Sequence, residues 1–200
     1  MKIFLATGNI NKIEEISKIL ENMDIKNIEI LSVKDNISIP HILEDGKTFE
    51  ENSIKKAVEI ANFLNIPTIA DDSGLSVEAL NGAPGVYSAR YAGEYANDSD
   101  NNKKLVKELS GILNRNAKFI CVITLGNPDG SYHSFRGEVS GEIIDDPRGI
   151  NGFGYDPYFY LKEFGKTMAE IAPDEKNAIS HRSKALEQLK RNIYKIFEKN

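Results

Sequence analysis

The chain has 200 residues, of which 40% are hydrophobic and 28% charged, and its net charge at pH 7 is −5. This composition is typical of a soluble globular protein, and the acidic balance disfavours nucleic acid as a partner. A single cysteine excludes a disulfide framework within the chain. No stretch approaches the ~20 apolar residues of a membrane span, and the N-terminus lacks a signal-peptide core. We therefore expect a cytoplasmic protein that is not bound to membrane, with residues 1–200 forming one domain of two lobes.

Strands and helices alternate in the first half of the chain. Strands are predicted at residues 2–6, 28–33 and 68–70, and the polar segment 34–47 is predicted as loop. A capping box begins the second helix, in which Thr48 is followed three residues later by Glu51. The apolar face of the first helix is predicted to contain Ile10, Ile13, Ile16, Ile19, Leu20 and Met23. That of the second is predicted to contain Ile54, Ala57, Val58, Ala61 and Leu64.

The second half of the chain predicts one more helix, a hairpin and a terminal helix. The helix is expected from Asp100 to Leu113, with Leu105, Leu109, Ile112 and Leu113 directed inward. The "NPDG" turn between two apolar runs predicts an antiparallel hairpin, with Cys121 buried in its first strand. "GFGYDPYFY" is expected to be a loop leading into a strand, and the last helix to start near Ser180. Together these elements predict an α/β fold with a mixed sheet.

"ATGNINK" (6–12) runs from a strand through a small-residue turn into a helix. The N–H groups and partial positive charge of a helix N-terminus attract anions, Gly8 permits close approach, and Lys12 adds a full charge. The spacing is not that of a P-loop. The structural alternative is an ordinary strand–helix turn in which Asn9 is the N-cap.

"ADDSG" (70–74) places two carboxylates where the apolar strand is expected to end. Ligands of α/β proteins bind at that edge of the sheet, and adjacent carboxylates raise each other's pKa unless a cation is near. In an extended chain Asp71 and Asp72 point in opposite directions. Mg²⁺ with phosphate ligands suits such a site, and Glu44 could supply a second carboxylate. The structural alternative is a pair of N-caps for a segment starting at Ser73.

Two further stretches suggest recognition of a base and its phosphates. In "GFGYDP" (152–157), Phe153 on a flexible backbone could stack on a planar base, and Asp156 could accept hydrogen bonds. The alternative is a turn whose aromatic rings fill the core. In "EKNAISHRSKA" (175–185), positive charge crowds the start of the last helix, where it is electrostatically unfavourable. Its donors suit an anion or a 6-oxo purine edge, and the alternative is a solvated helix face.

Five stretches, taken in order, resemble one family: "ATGNINKIEEI", "TFEENSIKKA", "IADDSGLSVEALNGAPGVYSARYAGE", "GFGYDPYF" and "AISHRSKAL". The chain resembles the Ham1-like pyrophosphatases for non-canonical purine nucleoside triphosphates, also called XTP/dITP diphosphatases, over essentially its whole length. The resemblance implies hydrolysis of ITP, dITP and XTP to the monophosphate and pyrophosphate. It also implies a Mg²⁺-dependent homodimer, whose fold is an elongated mixed β-sheet with flanking helices and two lobes around a central cleft.

The resemblance also implies roles for individual residues. Asp72 corresponds to the proton acceptor and, with Glu44, to a ligand of Mg²⁺. Substrate-binding positions correspond to Thr7, Gly8, Asn9, Ile10, Asn11, Lys12, Ser73, Phe153, Gly154, Tyr155, Asp156, Lys176, His181 and Arg182. One departure affects the metal site, because many relatives carry two glutamates before the glycine of the "TF" loop, whereas here Leu43 precedes Glu44.

There are three rival hypotheses, one of which is another enzyme. A nucleotide sensor would keep the phosphate turn and Phe153 but would not need Asp72 with a metal. A Maf-like pyrophosphatase would act on pyrimidine or modified nucleotides, and "SHR" and "FGYD" favour purines over these. A nucleic-acid-binding module is the weakest alternative because the chain is acidic.

Overall fold

The structure, a computed structural model, describes residues 2–22 and 28–197. The described strands are β1 (Lys2–Leu5), β2 (Glu29–Leu31), β3 (Thr68–Val77), β4 (Asn116–Gly126), β5 (Tyr132–Ile143), β6 (Phe159–Leu161) and β7 (Lys166–Thr167). The described helices are α1 (Ile10–Asn22), α2 (Phe49–Leu64), α3 (Asp98–Glu108), α4 (Pro173–Ile179) and α5 (His181–Phe197).

The described strands form one sheet in the order β2-β1-β3-β4-β5-β6-β7. β1 is parallel to β2 and β3, whereas β6 is antiparallel to β5 and β7. β4 and β5 are neighbours joined by the short turn at residues 127–131, which confirms the predicted hairpin. The prediction of an α/β fold with a mixed sheet and flanking helices is therefore confirmed.

The chain divides into two compact units. The first comprises Met1–Asp72, Cys121–Gly137 and Arg182–Asn200. One apolar cluster of this unit joins strand residues such as Leu5 and Ile69 to helices α1 and α5, and a smaller one joins Phe4 and Ala70 to α2. The first unit thus buries both faces of its part of the sheet, as expected for strands that carry helices on each side.

The second unit comprises Ser73–Ile120 and Glu138–His181. A single apolar cluster forms its core, and the buried members are Leu75, Val77, Leu105, Leu109, Ala117, Phe119, Val139, Ile143, Tyr155, Phe159, Leu161, Met168 and Ile171. Phe119 and Phe159 pack with their ring centroids 4.3 Å apart.

The first two helices form where predicted, but their buried faces differ from the prediction. Ile10 is exposed, and Met23 lies outside the described residues. The capping box of Thr48 and Glu51 is confirmed. The buried side of α2 is rotated toward Asn52 and Ser53. Apolar periodicity alone misses this rotation because both polar side chains find buried hydrogen-bond partners.

The prediction that a three-residue strand ends before the aspartates is wrong. β3 continues from Thr68 to Val77, so Asp71 and Asp72 lie within the strand and cap no helix. Beyond Asp72, buried Leu75 and Val77 alternate with half-buried residues, a period of two that polar and small residues obscure in the sequence.

The helical predictions for the second half need two corrections. α3 ends at Glu108 rather than Leu113, which is 98% exposed. The chain turns at Gly111, whose φ of +77° favours glycine. The charged stretch at 175–185 contains two helices, because Pro173 begins α4 before α5 starts at His181. Among the described residues, no helix is both long and apolar enough to cross a membrane.

Candidate active site

Asp71 and Asp72 occupy adjacent positions in the middle of β3, so their side chains leave opposite faces of the strand. Asp71 shares the face of Ile69, which packs with α1 and α5, and Asp72 shares that of Ala70, which packs with α2. Both side chains are buried. The opposite orientation expected from the sequence is therefore confirmed, and each carboxylate meets a different set of helices.

Two cations neutralise Asp71. Its Oδ2 lies 2.9 Å from Nζ of Lys12 and 3.4 Å from Nη2 of Arg182. Arg182, only 1% exposed, also pairs through Nη1 with Glu15 at 2.5 Å. Burial alone would raise the pKa of Asp71, but the charges of Lys12 and Arg182 hold it well below its ordinary value. Asp71 therefore remains ionised as part of a buried ion cluster.

Asp72 is in a different environment. Nδ2 of the buried Asn52 donates to Oδ2 of Asp72 at 3.0 Å. Burial raises the pKa of Asp72 to about 6, although Lys56 and Lys12 oppose the increase. A carboxylate with a pKa near neutrality can accept a proton at physiological pH and is the kind of group used in acid–base catalysis.

Lys56 and Glu44 complete this face of the site. Nζ of Lys56 lies 2.5 Å from Oε1 of Glu44. Burial disfavours the ammonium of Lys56, but Asp71 and Glu44 outweigh that effect and raise its pKa. Glu44 also contributes to the raised pKa of Asp72. Two carboxylates and an ammonium therefore influence one another here, although Glu44 lies in a loop and Lys56 in α2.

Asn52 connects the two acidic positions. While its Nδ2 donates to Asp72, its Oδ1 accepts from the backbone N–H of Gly46 at 2.8 Å, in the loop that carries Glu44. A Cβ added at Gly46 would come within 2.6 Å of this Oδ1. One buried amide thus holds both the Asp72 side chain and the Glu44 loop.

The donor set fits Mg²⁺ if substrate supplies the remaining ligands. Within residues 2–22 and 28–197, no three His, Cys, Asp or Glu side chains are grouped so as to hold a metal ion. Asp72 and Glu44 offer only oxygen ligands, and Mg²⁺ is usually held by one or two carboxylates plus phosphates and water.

The turn at residues 6–12 is open to solvent on the helix side. Gly8, Asn9, Ile10 and Asn11 are exposed, and Thr7 is half-buried. Oδ1 of Asn9 accepts from the N–H of Lys12 at 3.3 Å, so the N-cap of the structural alternative is present. An exposed helix N-terminus of this kind presents backbone N–H groups to an anion.

The second unit holds the glycine-flanked loop around Phe153. Oδ2 of Asp156 accepts from the N–H of Phe153 at 2.9 Å and from Nζ of Lys176 at 2.7 Å. Lys176 and Asp156 are both buried. The ammonium of Lys176 also lies 5.1 Å from the Phe153 ring centroid, which is within cation–π range. Phe153 is half-buried, so part of its surface remains open.

The other predicted residues of this unit have different surroundings. Tyr155 is buried in the core, and its hydroxyl donates to the carbonyl of Ser88 at 2.8 Å. The core-filling alternative therefore holds for Tyr155. The His181 ring stacks on Phe119 with a centroid separation of 5.0 Å. Ser73 is half-buried in β3.

Comparison with known proteins identifies the family. The sequence profile described as the Ham1 family matches residues 3–192. The chain belongs to the Ham1 family. The "dITP/XTP pyrophosphatase" of Desulfotalea psychrophila is 50% identical over 98% of this chain and 86% of its own length. That of Geobacter sulfurreducens is 49% identical over 96% of both chains.

Solved structures of Ham1 proteins share the fold. The Ham1 protein of Staphylococcus aureus has a TM-score of 0.86 and 43% identity, covering 97% of this chain and 98% of that one. A HAM1 protein from Coxiella burnetii has a TM-score of 0.88 and 43% identity, covering 98% of this chain and 99% of that one. The expected family resemblance is therefore confirmed.

Within this Ham1-family chain, sequence reasoning missed Asn52, Lys56 and Glu15. Asn52 and Lys56 are four residues apart on α2 and therefore lie on one side of the helix. Polar residues repeating at that spacing within an otherwise apolar face were an available signal. Glu15 gave no such signal, because its partner Arg182 is 167 residues away in sequence.

Proposed function

We propose that this Ham1-family chain hydrolyses the non-canonical purine nucleoside triphosphates ITP, dITP and XTP to the nucleoside monophosphate and pyrophosphate. Such an activity removes deaminated purines from the nucleotide pool. The names of the relatives, dITP/XTP pyrophosphatases at about half identity over nearly the whole chain, support the substrate class. The observation that carries the chemistry is the buried amide of Asn52, which holds both the Asp72 side chain and the loop of Glu44.

Asp72 would accept a proton from the attacking water while Asn52 fixes one of its oxygens. Burial raises the pKa of Asp72 to about 6 in the metal-free chain, so this carboxylate is a stronger base there than an exposed aspartate. Asp71 is unsuited to the role because Lys12 and Arg182 keep it ionised with a lowered pKa. The water would attack the α phosphorus, and the bond to the β phosphate would break.

Mg²⁺ is the proposed cofactor, held by Asp72 and Glu44 together with phosphate oxygens. When bound, it would neutralise phosphate charge and polarise the substrate. Lys56 lies against Glu44 at 2.5 Å and would orient that carboxylate. Because a divalent cation compensates both carboxylates, their mutual repulsion would cease to oppose ionisation of Asp72.

The turn at residues 6–12 would hold the leaving pyrophosphate. Its proposed phosphate-binding residues are Thr7, Gly8, Asn9, Ile10, Asn11 and Lys12. Phosphoryl transfer depends mainly on positioning and charge neutralisation. The exposed N–H groups at the start of α1 and the ammonium of Lys12 provide both. Arg182 also pairs with Asp71. It would therefore help to compensate the charge of the Asp71 carboxylate, which Lys12 would otherwise compensate alone.

The loop around Phe153 would supply base recognition. The proposed contacts are Ser73, Phe153, Gly154, Asp156, Lys176 and His181. Phe153 would stack on the base, whereas the buried Tyr155 would support the loop from below. Buried hydrogen-bond donors that face the 6-oxo edge of the base would be left unpaired when adenine is bound. Such a mismatch can favour 6-oxo purines over adenine by ~10⁴-fold.

The proposed function is tested by measuring pyrophosphate release from ITP, XTP, GTP and ATP, with Mg²⁺ and with EDTA. Metal-dependent release from ITP and XTP, with GTP and ATP nearly inert, is expected. Equal turnover of all four would contradict the base selectivity. Tight binding of ITP without turnover would instead indicate a nucleotide sensor.

The family resemblance also motivates proposals about assembly and location. We propose a homodimer acting in the cytoplasm on small nucleotides, without nucleic acid as a partner. The net charge of −5 supports the last point. Sedimentation equilibrium should give a mass near twice 22.3 kDa, and a monomer mass at micromolar concentration would contradict the dimer.

A further inference from the structure

The backbone on both sides of Phe153 is held by hydrogen bonds. Asp156 accepts from the N–H of Phe153 at 2.9 Å. On the other side, Oδ2 of Asp98 in α3 accepts from the N–H of Gly154 at 2.7 Å. These two N–H groups belong to the peptide planes that flank the α carbon of Phe153. Hydrogen bonds to both planes restrict the φ and ψ of Phe153.

A second residue of α3 holds the next peptide. Nδ2 of Asn102 donates to the carbonyl of Gly154 at 2.9 Å and to that of Asp98 at 2.8 Å. Asn102 is 5% exposed, and its Oδ1 has no hydrogen-bond partner among the described residues. Its role here is therefore that of a donor. Both polar groups of Gly154, whose φ is +63°, are bound by α3.

α3 is held in place by a capping box and by core packing. Asn97 and Asp100 form a capping box at its N-terminus. Leu105 of the helix and Leu109, which follows its last residue, are fully buried in the core of the second unit. The loop contacts come from Asp98 and Asn102, which lie four residues apart on one side of the helix.

We propose that Asp98 and Asn102 are positioning residues for substrate recognition, which hold the Phe153–Gly154 peptide so that the Phe153 ring is presented to the purine base. The proposal rests on the proposed function, in which Phe153 stacks on the base. Neither residue needs to touch substrate. Their effect should therefore fall on binding of base-containing ligands and spare the phosphate-binding groups.

The test compares Asp98→Ala, Asp98→Asn and Asn102→Ala with Ser99→Ala, a control at an exposed position of the same helix turn. Asp98→Ala and Asn102→Ala should each raise the KM for ITP by about 10-fold, the effect of a lost hydrogen bond, with kcat changed less than twofold. Asp98→Asn loses the same charge as Asp98→Ala but keeps an acceptor oxygen, so its KM should remain near that of Ser99→Ala. Thermal unfolding checks that each variant is folded.

Inorganic pyrophosphate separates positioning from general damage. Measured by its inhibition of IMP formation, its Ki should stay unchanged in Asp98→Ala and Asn102→Ala. The proposal would be overturned if the Ki of pyrophosphate rose in these two variants by the same factor as the KM for ITP. It would also be overturned if their KM for ITP equalled that of Ser99→Ala. A tenfold rise in the KM for ITP in Asp98→Asn would overturn the hydrogen-bond explanation.

Hydrogen exchange of the Gly154 amide keeps this test independent of the proposed function. Asp98→Ala should accelerate exchange of that amide, and Asp98→Asn should not. If the wild-type chain fails to turn over ITP, the proposed function fails, while the exchange experiment still decides whether α3 holds the loop. An unchanged exchange rate of the Gly154 amide in Asp98→Ala would show that Asp98 does not hold this peptide.

Discussion

The two aspartates of β3 are neighbours in sequence but occupy opposite electrostatic environments. On the α1 and α5 face, Asp71 is paired with two cations and its pKa is lowered. On the α2 face, burial raises the pKa of Asp72 to about 6, and the neutral amide of Asn52 donates a hydrogen bond to this carboxylate. The difference indicates that identical side chains can have separate roles, one stabilising the fold and the other available for chemistry.

The largest expected effect is that of Asp72→Asn on catalysis. Loss of the proton acceptor should lower kcat for ITP by roughly 10³-fold. Asn is nearly isosteric, so the fold should be unaffected. Steady-state assays that follow IMP formation measure the change, and wild-type kcat in this variant would contradict the assignment.

Asp72→Asn should also leave stability intact or increase it. The pKa of Asp72 is higher in the folded chain than in the unfolded chain, so proton binding to Asp72 favours folding. This stabilisation is present at pH values below the unfolded pKa and is lost as the pH rises through about 6. Removing the carboxylate should therefore raise the free energy of unfolding at pH 7, by up to about 3 kcal/mol. Urea unfolding in EDTA measures this, and a marked loss of stability would count against the account.

Asp71→Asn should produce the opposite pattern, with the loss appearing mainly in stability. Removing one partner of a buried ion cluster leaves Lys12 and Arg182 incompletely compensated, which costs about 3–5 kcal/mol. Because the folded pKa of Asp71 is depressed, its contribution is present above its ordinary pKa and disappears as pH falls toward the folded value. The variant's deficit in urea unfolding should therefore shrink in acid. A deficit that is constant with pH would be inconsistent with this role.

Asn52→Ala should have a smaller effect that falls on the α2 face. The variant releases both the Asp72 side chain and the Gly46 N–H. A lost buried hydrogen bond corresponds to about a 10-fold fall in kcat, and the Mg²⁺ concentration for half-maximal rate should rise because the Glu44 loop is freed. Glu59→Ala, at an exposed position of α2, is the matched control. Equal metal dependence in the two variants would rule out the bridging role.

The smallest effect concerns Cys121, which lies in the core on the Asp71 face. Burial raises the pKa of its thiol to about 12, so the native protein should resist alkylation at pH 8. Labelling by iodoacetamide should accelerate in Asp71→Asn, where this face is destabilised, and remain slow in Asp72→Asn. Equal labelling rates in the two variants would remove the contrast between the faces.

Sequence patterns predicted much of this arrangement, and their failures have physical causes. Alternation in an extended strand predicted that Asp71 and Asp72 would point in opposite directions, because that depends only on local geometry. The raised pKa of Asp72 could not be assigned in advance, since it depends on burial beneath α2. The same holds for Arg182, whose partner Glu15 lies in a distant part of the chain.

Two elements differ from the sequence prediction. "SGLSV" continues β3 because Leu75 and Val77 find a core, which periodicity over five residues does not reveal. Pro173 followed by two acids is a helix start, which the prediction of a single helix from Ser180 does not include. Asp98 and Asn102 of α3 bind Gly154 in a loop about fifty residues away. Local sequence patterns do not predict such a contact because it forms only in the folded chain.

The most direct test of the account is the fate of oxygen when ITP is hydrolysed in ¹⁸O-labelled water with Mg²⁺. Water placed by Asp72 against the α phosphorus predicts equal amounts of IMP and pyrophosphate, with the label in IMP and no turnover in EDTA. Label found in pyrophosphate would place the attack on the β phosphorus and contradict the assigned geometry. IDP and inorganic phosphate as products would refute the reaction altogether.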